Sequence, residues 1–354
     1  MTRIERLAAL LEEPLLVAGP PYVLGGQANV RYLTGLQSSN SAVLVEPDGS
    51  ATLYTDFRYA NRARALDRFE VAEVARGLIP AIGELLSGRR VQVEEQHLPH
   101  ALYRALVDAG VDAVPSTGLV EGLRAVKDPE EIATMRRASA LSDEVFAALS
   151  EERFTGRSEK ELAWWIKRSF RERGAEGVSF EAVVAAGATA ASPHAVPGGT
   201  PIEPGVLVTI DAGCILDGYC SDCTRTFAIG AVSESLRELH ALCLEAQLAG
   251  LAAVAPGVHG RDADAASRTI IEAAGHGAAY GHGMGHGVGL QIHEAPTLRP
   301  ETEDVIAVGN VVSVEPGIYL PDDGCGVRIE DLVVVTQEGC ERLTQFTKEL
   351  ITVA

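Results

Sequence analysis

An internal repeat in the C-terminal part constrains the fold of this chain more than any other feature. Residues 205–213 (GVLVTIDAG) and residues 309–317 (GNVVSVEPG) share one pattern at an offset of 104 residues. Each segment is an apolar strand that ends in a carboxylate and a glycine, and a His-x-x-Pro sequence precedes each, at His194 and at His293. Pseudo-twofold packing of the two halves would bring both strands, both carboxylates and both histidines to one shared site.

The chain is predicted to form two domains. With 354 residues, 46% of them apolar, it is long enough for two separate cores. Residues 1–125 alternate short apolar strands with helical stretches, as an α/β domain does, and a helix N-cap signal (DPEE) follows at residues 128–131. Residues 126–354 show two helices followed by strands, twice over, which predicts an α+β domain with an internal duplication. The predicted strands are 15–18, 41–45, 51–54 and 90–94, and the predicted helices are 59–66, 79–86, 99–109, 129–149, 159–173, 234–254 and 262–274.

Charge and composition exclude several classes of partner. The formal net charge of −19 disfavours binding to a phosphate backbone, so no nucleic-acid partner is expected. The N-terminal residues do not follow the pattern of a secretory signal, and no apolar run reaches the ~20 residues of a membrane helix. A cytoplasmic protein without a membrane partner is therefore expected. Six cysteines are sparse for this length, and we expect reduced thiols.

The first half of the repeat places two carboxylates close together. Asp211 closes one predicted strand and Asp222 opens the next, and the turn signal Asp217-Gly218 lies between them. Two carboxylates in a partly buried site repel each other unless a cation lies between them. The pair therefore indicates a cation site.

The second half offers two more carboxylates. Glu315 and Glu330 belong to predicted apolar strands at 311–315 and 327–335, which a turn-rich segment joins. Tyr319 and Arg328 lie near them in sequence and could orient the carboxylates by hydrogen bonds.

Three histidines occur between Gly281 and His293, where alternating glycines permit close approach of the backbone. They are His282, His286 and His293, and we expect at least one to be a metal ligand. The chain contains neither of the glycine-rich nucleotide-binding motifs, so these glycines are interpreted as making room for metal and substrate. Four carboxylates and an imidazole suit two adjacent divalent cations, which predicts a dinuclear metallohydrolase.

Four long motifs carry a resemblance to a known family. They are SDCTRTF at 221–227, GHGMGHGVGLQIHEAP at 281–296, EPGIY at 315–319 and VRIED at 327–331. In these motifs the chain resembles the Xaa-Pro peptidases, prolidase and aminopeptidase P, over essentially its whole length. The resemblance implies a pita-bread fold with a pseudo-twofold repeat, preceded by a smaller creatinase-N-like domain that caps the pocket or mediates a homodimer. It also implies that Asp211, Asp222, His286, Glu315 and Glu330 bind two divalent metal ions, and that His194, His282 and His293 line the substrate pocket.

The same resemblance suggests the reaction. Short proline-containing peptides are the expected partners, with hydrolysis of the Xaa-Pro bond of dipeptides. Manganese is the expected metal, and cobalt, zinc and iron(II) fit the same ligand types. Glu315 is expected to shuttle a proton, and His293 or His194 to donate to the oxyanion, with His282 and Arg328 also assigned to catalysis. Tyr319 is assigned to substrate binding, as is Arg58. Arg58 or Arg31 could bind a terminal carboxylate, and the alternative for each is a surface role.

Other functions share the fold. An aminopeptidase P would act on longer Xaa-Pro peptides, and a methionine aminopeptidase would need no N-terminal domain. A creatinase-like amidinohydrolase or a catalytically silent binding protein would keep the fold and lose the metal ligands, all five of which are present here. The segment 319–328 is about one residue longer than the usual family pattern, which bears on substrate preference.

Overall fold

The structure, a computed structural model, describes residues 1–19 and 24–354, the side chains of residues 24–26 excepted. It divides into two compact units, Met1–Arg124 and Ala125–Ala354.

The N-terminal unit is a mixed α/β domain around one six-stranded sheet, in the order β4-β3-β2-β1-β5-β6. Strand β1 pairs antiparallel with β2 and parallel with β5. The four predicted strands are confirmed, whereas both edge strands went unpredicted, because β4 is largely polar and β6 contains a proline. The strands are β1 Leu15–Gly19, β2 Ser41–Val45, β3 Ala51–Thr55, β4 Glu70–Glu73, β5 Arg90–Glu94 and β6 Asp112–Ser116, and the helices are α1 Arg3–Ala8, α2 Leu24–Thr34, α3 Ala60–Arg64, α4 Leu78–Leu85, α5 His100–Asp108 and α6 Leu119–Ala125.

A polar network lies between α2, β5 and α6 of this unit. The Asn29 amide Nδ2 donates to Oε1 of Glu94 (2.6 Å) and to the carboxylate of Glu121. Its carbonyl oxygen accepts from Nη1 of Arg124 (2.6 Å), and Nε2 of His97 lies 2.5 Å from Oε1 of Glu121. One amide therefore joins two acidic side chains to a guanidinium.

The C-terminal unit contains four long helices, and the first two begin with side-chain caps. Asp128 accepts hydrogen bonds from the backbone N–H groups of Glu130 and Glu131, and Ser158 caps the next helix in the same way. The predicted cap at Asp128 is confirmed, and both helix starts are capping boxes. The helices are α7 Pro129–Ser150, α8 Glu159–Glu172, α9 Glu234–Ala253 and α10 Gly260–Ala273, with short 3-10 helices at Gly187–Ala191 and Gly277–Ala279.

The two halves of the repeat form the central strands of two sheets. Strand β9 lies between β12 and β8, and strand β15 lies between β13 and β18, all pairs being antiparallel. The repeat is therefore confirmed as a repeat of topology. The sheet orders are β20-β12-β9-β8, β14-β13-β15-β18-β19, β11-β10-β7 and β16-β17. The strands are β7 Gly177–Val178, β8 Val183–Ala186, β9 Leu207–Asp211, β10 Cys214–Leu216, β11 Tyr219–Cys220, β12 Thr224–Ile229, β13 Gly285–Gly287, β14 Glu294–Leu298, β15 Val311–Val314, β16 Gly317–Leu320, β17 Cys325–Arg328, β18 Asp331–Val335, β19 Cys340–Arg342 and β20 Thr352–Val353.

The predicted single strand over 327–335 is wrong. The chain leaves the β16-β17 hairpin after Arg328 and enters the five-stranded sheet at Asp331, so Glu330 lies in a break between two sheets. The apolar run is continuous because both strands are buried, which hides the break from the sequence pattern. Asp222 likewise precedes strand β12 and does not open it, and Glu315 follows β15 instead of belonging to it.

Candidate metal centre

Four carboxylates of the C-terminal unit lie where strands end or break. Asp211 is the last residue of β9, and the others lie in irregular backbone next to β12, β15 and β18. One carboxylate oxygen from each of Asp211, Asp222 and Glu330 lies within 4.8 Å of the others. Where the backbone is no longer paired in a sheet, it can turn these side chains towards one point. Residues far apart in the chain therefore form one cluster.

His286 and Glu315 complete this cluster. Nε2 of His286 lies 3.1 Å from Oε1 of Glu315 and 3.8 Å from Oδ2 of Asp222, while Nδ1 faces the carbonyl oxygen of Gly287 at 3.1 Å. The glycines around His286 permit this approach, because a Cβ at Gly285 would collide with the backbone of β15. The structure thus brings together all five side chains that the sequence predicts as metal ligands.

Burial and mutual repulsion shift the acidity of these groups. Burial, and then the charges of the neighbouring carboxylates, raise the pKa of Asp222 and of Glu330 well above the ordinary range. Burial opposes ionisation of Glu315 too, but the hydrogen bond with His286 lowers its pKa to about 2. All of these carboxylates can be ionised together only if positive charge beyond that of the surrounding protein is supplied.

The hydrogen bonds of the cluster are also incomplete. Oδ1 of Asp211 and Oε1 of Glu330 are buried and have no hydrogen-bond partner within the protein. Buried oxygens without donors are costly, and a divalent cation supplies both the missing partner and the missing positive charge. The residues present therefore fit bound divalent metal ions.

Arg328 connects the cluster to its surroundings. It is 3% exposed, and its Nη2 donates to Oδ2 of Asp211 at 2.8 Å. Its Nη1 donates to the hydroxyl of Tyr319 (2.9 Å), which in turn lies 3.0 Å from Nε2 of His282. One buried guanidinium therefore orients a carboxylate and, through a tyrosine, an imidazole.

Two further predicted pocket histidines differ in their distance from the cluster. The ring of His293 lies edge-on to the ring of His286, with the centroids 4.3 Å apart, and His194 is exposed in the segment before β9. Burial lowers the pKa of His282, and the nearby charges of Arg328 and His194 lower it further. His293 therefore lies beside the cluster, and His194 is near enough to His282 and His293 to lower the pKa of each. Arg58 belongs to the N-terminal unit, where its guanidinium pairs with Asp56 at 2.6 Å.

Sequence reasoning missed two hydroxyl groups that hold the carboxylates. Thr224 Oγ1 donates to Oε2 of Glu330 at 2.8 Å, and Ser313 Oγ donates to Oε1 of Glu315 at 3.0 Å. Each hydroxyl residue lies two positions from a predicted ligand, Thr224 after Asp222 and Ser313 before Glu315. That spacing places side chains on one face of an extended segment, and it could have identified both.

Comparison with known proteins identifies the family. The model of metallopeptidase family M24 matches residues 133–337, which is more than half of the chain. The chain belongs to metallopeptidase family M24. A second model, of the creatinase/prolidase N-terminal domain, matches residues 3–126 of this M24 protein.

Relatives of this M24 enzyme support the same assignment over its whole length. It is 32% identical to a Xaa-Pro dipeptidase of Pyrococcus furiosus, with 99% of each chain covered. Its fold is similar to that of a Xaa-Pro dipeptidase from Bacillus anthracis, with a TM-score of 0.93, 37% identity and 99% of each chain covered. It is also similar to an X-Pro aminopeptidase from Thermotoga maritima, with a TM-score of 0.90, 32% identity, and 98% and 100% of the two chains covered.

These comparisons confirm part of the sequence analysis. The predicted pita-bread fold with a preceding α/β domain is confirmed, and the chain is a metallopeptidase of a family that uses divalent metal ions. The six cysteines are free thiols, as expected. None of the helices that the structure describes combines the length and the apolar character needed to cross a membrane.

Proposed function

We propose that this M24 peptidase is a dinuclear metal-dependent dipeptidase that hydrolyses the Xaa-Pro bond of dipeptides. The observation that carries the proposal is the convergence of Asp211, Asp222, Glu330, His286 and Glu315 on one buried, undercompensated cluster. Similarity to the Xaa-Pro dipeptidases of P. furiosus and B. anthracis supports the substrate class.

The same five side chains would hold two ions. Their oxygen-rich set with one imidazole suits manganese, which we propose, and also suits cobalt, iron(II) and zinc. The ions would supply Lewis acidity, which polarises a carbonyl group and activates water as a nucleophile. The hydrogen bonds from Arg328, Thr224 and Ser313 keep the carboxylates oriented for this task.

Proton transfer falls to Glu315. Hydrolysis forms a C–O bond from water, breaks the C–N bond to proline and moves one proton from the water to the proline nitrogen. The Glu315 carboxylate, which accepts a hydrogen bond from the hydroxyl of Ser313, would accept this proton and pass it on. His293, which lies beside the cluster, or His194 would donate an N–H group to the developing oxyanion.

The chemistry of proline determines what the substrate pocket must accept. An imide bond before proline has no N–H, so a pocket that demands no such donor accepts it where other peptidases fail. His282, held by Tyr319 at 3.0 Å, would line this pocket together with His194 and His293.

The second candidate is an aminopeptidase that removes the residue before proline from longer peptides. The similarity to the X-Pro aminopeptidase of T. maritima favours it. The two candidates differ in the part of the pocket that follows proline. In a dipeptidase it is closed by a group that binds the proline carboxylate, and in an aminopeptidase it is not.

One assay tests the proposal and separates the candidates. The purified protein is loaded with Mn²⁺, its metal content is measured, and kcat/KM is compared for Xaa-Pro and Xaa-Pro-Yaa peptides of the same first residue. We expect two metal ions per chain and faster cleavage of the dipeptide. Faster cleavage of the tripeptide favours the aminopeptidase, and no cleavage of either peptide contradicts both.

A further inference from the structure

The segment that carries His194 has little packing of its own. We call residues 192–199, between the 3-10 helix Gly187–Ala191 and the next strands, the His194 loop. Ser192, His194 and Val196 are exposed along it, Val196 to 84%. Because exposed side chains do not anchor a backbone, the position of this loop depends on hydrogen bonds at its ends.

A single buried carboxylate makes those hydrogen bonds. Glu159 is the first residue of α8 and is 4% exposed. Its Oε1 accepts from the backbone N of Ala186 (2.8 Å) and from the hydroxyl of Thr189, both before the loop. Its Oε2 accepts from the backbone N of Gly198, near the end of the loop, at 2.5 Å. Glu159 therefore ties the two ends of the loop to one point.

The first turn of α8 holds the loop by several hydrogen bonds in a close fit. Hydrogen bonds to an ionised acceptor are stronger than neutral ones, and here two oxygens receive three donors. The backbone N of Lys160 also donates to the carbonyl oxygen of Gly198 at 3.1 Å, so the first turn of α8 holds both backbone polar groups of Gly198. A Cβ at Gly198 would lie 3.0 Å from Oε2 of Glu159, which leaves almost no space for a side chain.

The loop also touches the residue that orients the metal centre. The carbonyl oxygen of Pro193 accepts from Nη1 of Arg328 at 3.2 Å, and Arg328 binds Asp211. The preceding 3-10 helix packs closely on β17. Its Ala190 carbonyl oxygen lies so near Gly326 that a Cβ at this glycine would collide with it. The ends held by Glu159 and the contact with Arg328 together determine where His194 lies.

We propose that Glu159 is a positioning residue for the peptidase reaction, which fixes the His194 loop so that the imidazole meets the bound peptide. The inference rests on the proposed function, because it takes His194 to act on the substrate. The effect of Glu159 on turnover then passes through His194.

The test compares Glu159→Gln with Glu161→Gln. Glu161 lies two residues further along the same helix turn, and its carboxylate accepts from the N and Oγ of Ser158 (2.7 Å each). In Glu159→Gln an amide N–H₂ group replaces one acceptor oxygen and faces the donors of the loop. We therefore expect faster hydrogen exchange at the Gly198 amide. We also expect kcat/KM for Xaa-Pro dipeptides to fall about tenfold to a hundredfold, because the His194 imidazole is misplaced. Glu161→Gln should show neither change.

A double-mutant cycle separates positioning from a general structural role. In a His194→Ala background, Glu159→Gln should cause no further loss of kcat/KM, whereas independent losses that multiply overturn the inference. Unchanged Gly198 exchange in Glu159→Gln overturns it as well, whatever the activity. If the wild-type protein cleaves no Xaa-Pro peptide, the proposed function fails, while the exchange comparison still tests the role of Glu159 on the loop. Should Glu159→Gln not fold, Thr189→Val removes one donor and is expected to give smaller changes of the same sign.

Discussion

Each unit of this protein contains a largely buried group of potential metal ligands, and the two groups differ in how their charge is neutralised. In the N-terminal unit, Glu94, His97 and Glu121 offer ligand atoms within 4.8 Å of one another, as do Asp211, Asp222 and Glu330 in the C-terminal unit. Distances alone would therefore predict two metal sites.

Hydrogen bonding separates the two groups. In the N-terminal group the Asn29 amide donates to both carboxylates and is itself held by Arg124. Burial and the charge of Glu121 raise the pKa of Glu94 to about 8, so this carboxyl is mostly neutral at pH 7 and its unpartnered Oε2 carries little charge. The C-terminal group has two unpartnered carboxylate oxygens and further acidic neighbours. A metal site is thus indicated by a deficit of donors and positive charge, and not by proximity of ligands.

The largest expected effect is the loss of activity when a carboxylate of the C-terminal group is neutralised. Glu315→Gln or Asp222→Asn should abolish hydrolysis of Xaa-Pro dipeptides with the fold intact, because each removes charge that the ions and the transferred proton require. Steady-state kinetics with saturating Mn²⁺ and circular dichroism check this. Residual turnover above about a tenth of wild type, a barrier change of only ~1.4 kcal/mol, counts against the scheme. Glu121→Gln is the matched control in the other group and should keep normal turnover.

The next effect concerns the pH dependence of stability in the N-terminal group. Glu94 has a folded-state pKa of about 8 against 4.5 for the ordinary group, so the unfolded chain releases this proton at lower pH than the folded chain. The free energy of unfolding should therefore be fully maintained below pH 4.5 and fall as the pH rises towards 8, by a few kcal/mol at about 1.4 kcal/mol per pKa unit.

Glu94→Gln should remove this contribution. Denaturant unfolding at several pH values between 5 and 8 measures it, and the exposed neighbour Glu95 provides the control variant Glu95→Gln. An unchanged slope of stability against pH in Glu94→Gln would show that Glu94 is ionised in the folded protein, and the two groups would then differ less than we infer.

The same contrast shows what sequence can reveal. The repeat and the glycine-flanked motifs predicted that Asp211 and Glu315 belong to one site, because the chemistry of a metal site restricts residue type and spacing within short segments. The break before Asp331 was not predictable, since both strands that flank it are continuously apolar. Contacts such as that between Glu159 and Gly198, 39 residues apart, depend on packing that no local pattern encodes.

A moderate effect is expected from the hydroxyl group that holds Glu330. Thr224→Val removes the hydrogen-bond donor to Oε2 of Glu330 and should weaken metal binding about tenfold. This is the lower end of the loss of metal affinity seen when a residue that hydrogen-bonds to a metal ligand is replaced. Thr226→Val is the matched control, because its hydroxyl donates to the backbone oxygen of Arg328 instead of a carboxylate. Titration of the metal-free protein with Mn²⁺ compares the affinities. Equal weakening in both variants would assign the effect to the strand β12 and not to the hydrogen bond.

The smallest expected effect, on the metal content of a variant in the N-terminal group, tests the contrast between the two groups most directly. His97→Ala removes one of the three potential ligands of the N-terminal group, yet it should leave the metal content at two ions per chain. The reason is that Asn29 already donates to both acidic side chains there, and its amide group could not do so with a cation in the same place. Elemental analysis of the purified wild type, His97→Ala and Asp222→Asn proteins decides the matter, and only Asp222→Asn should lose metal. A third ion in the wild type that disappears in His97→Ala would mean that Asn29 turns away to admit a cation. In that case the proximity of ligands, and not the balance of donors, would identify metal sites in this protein.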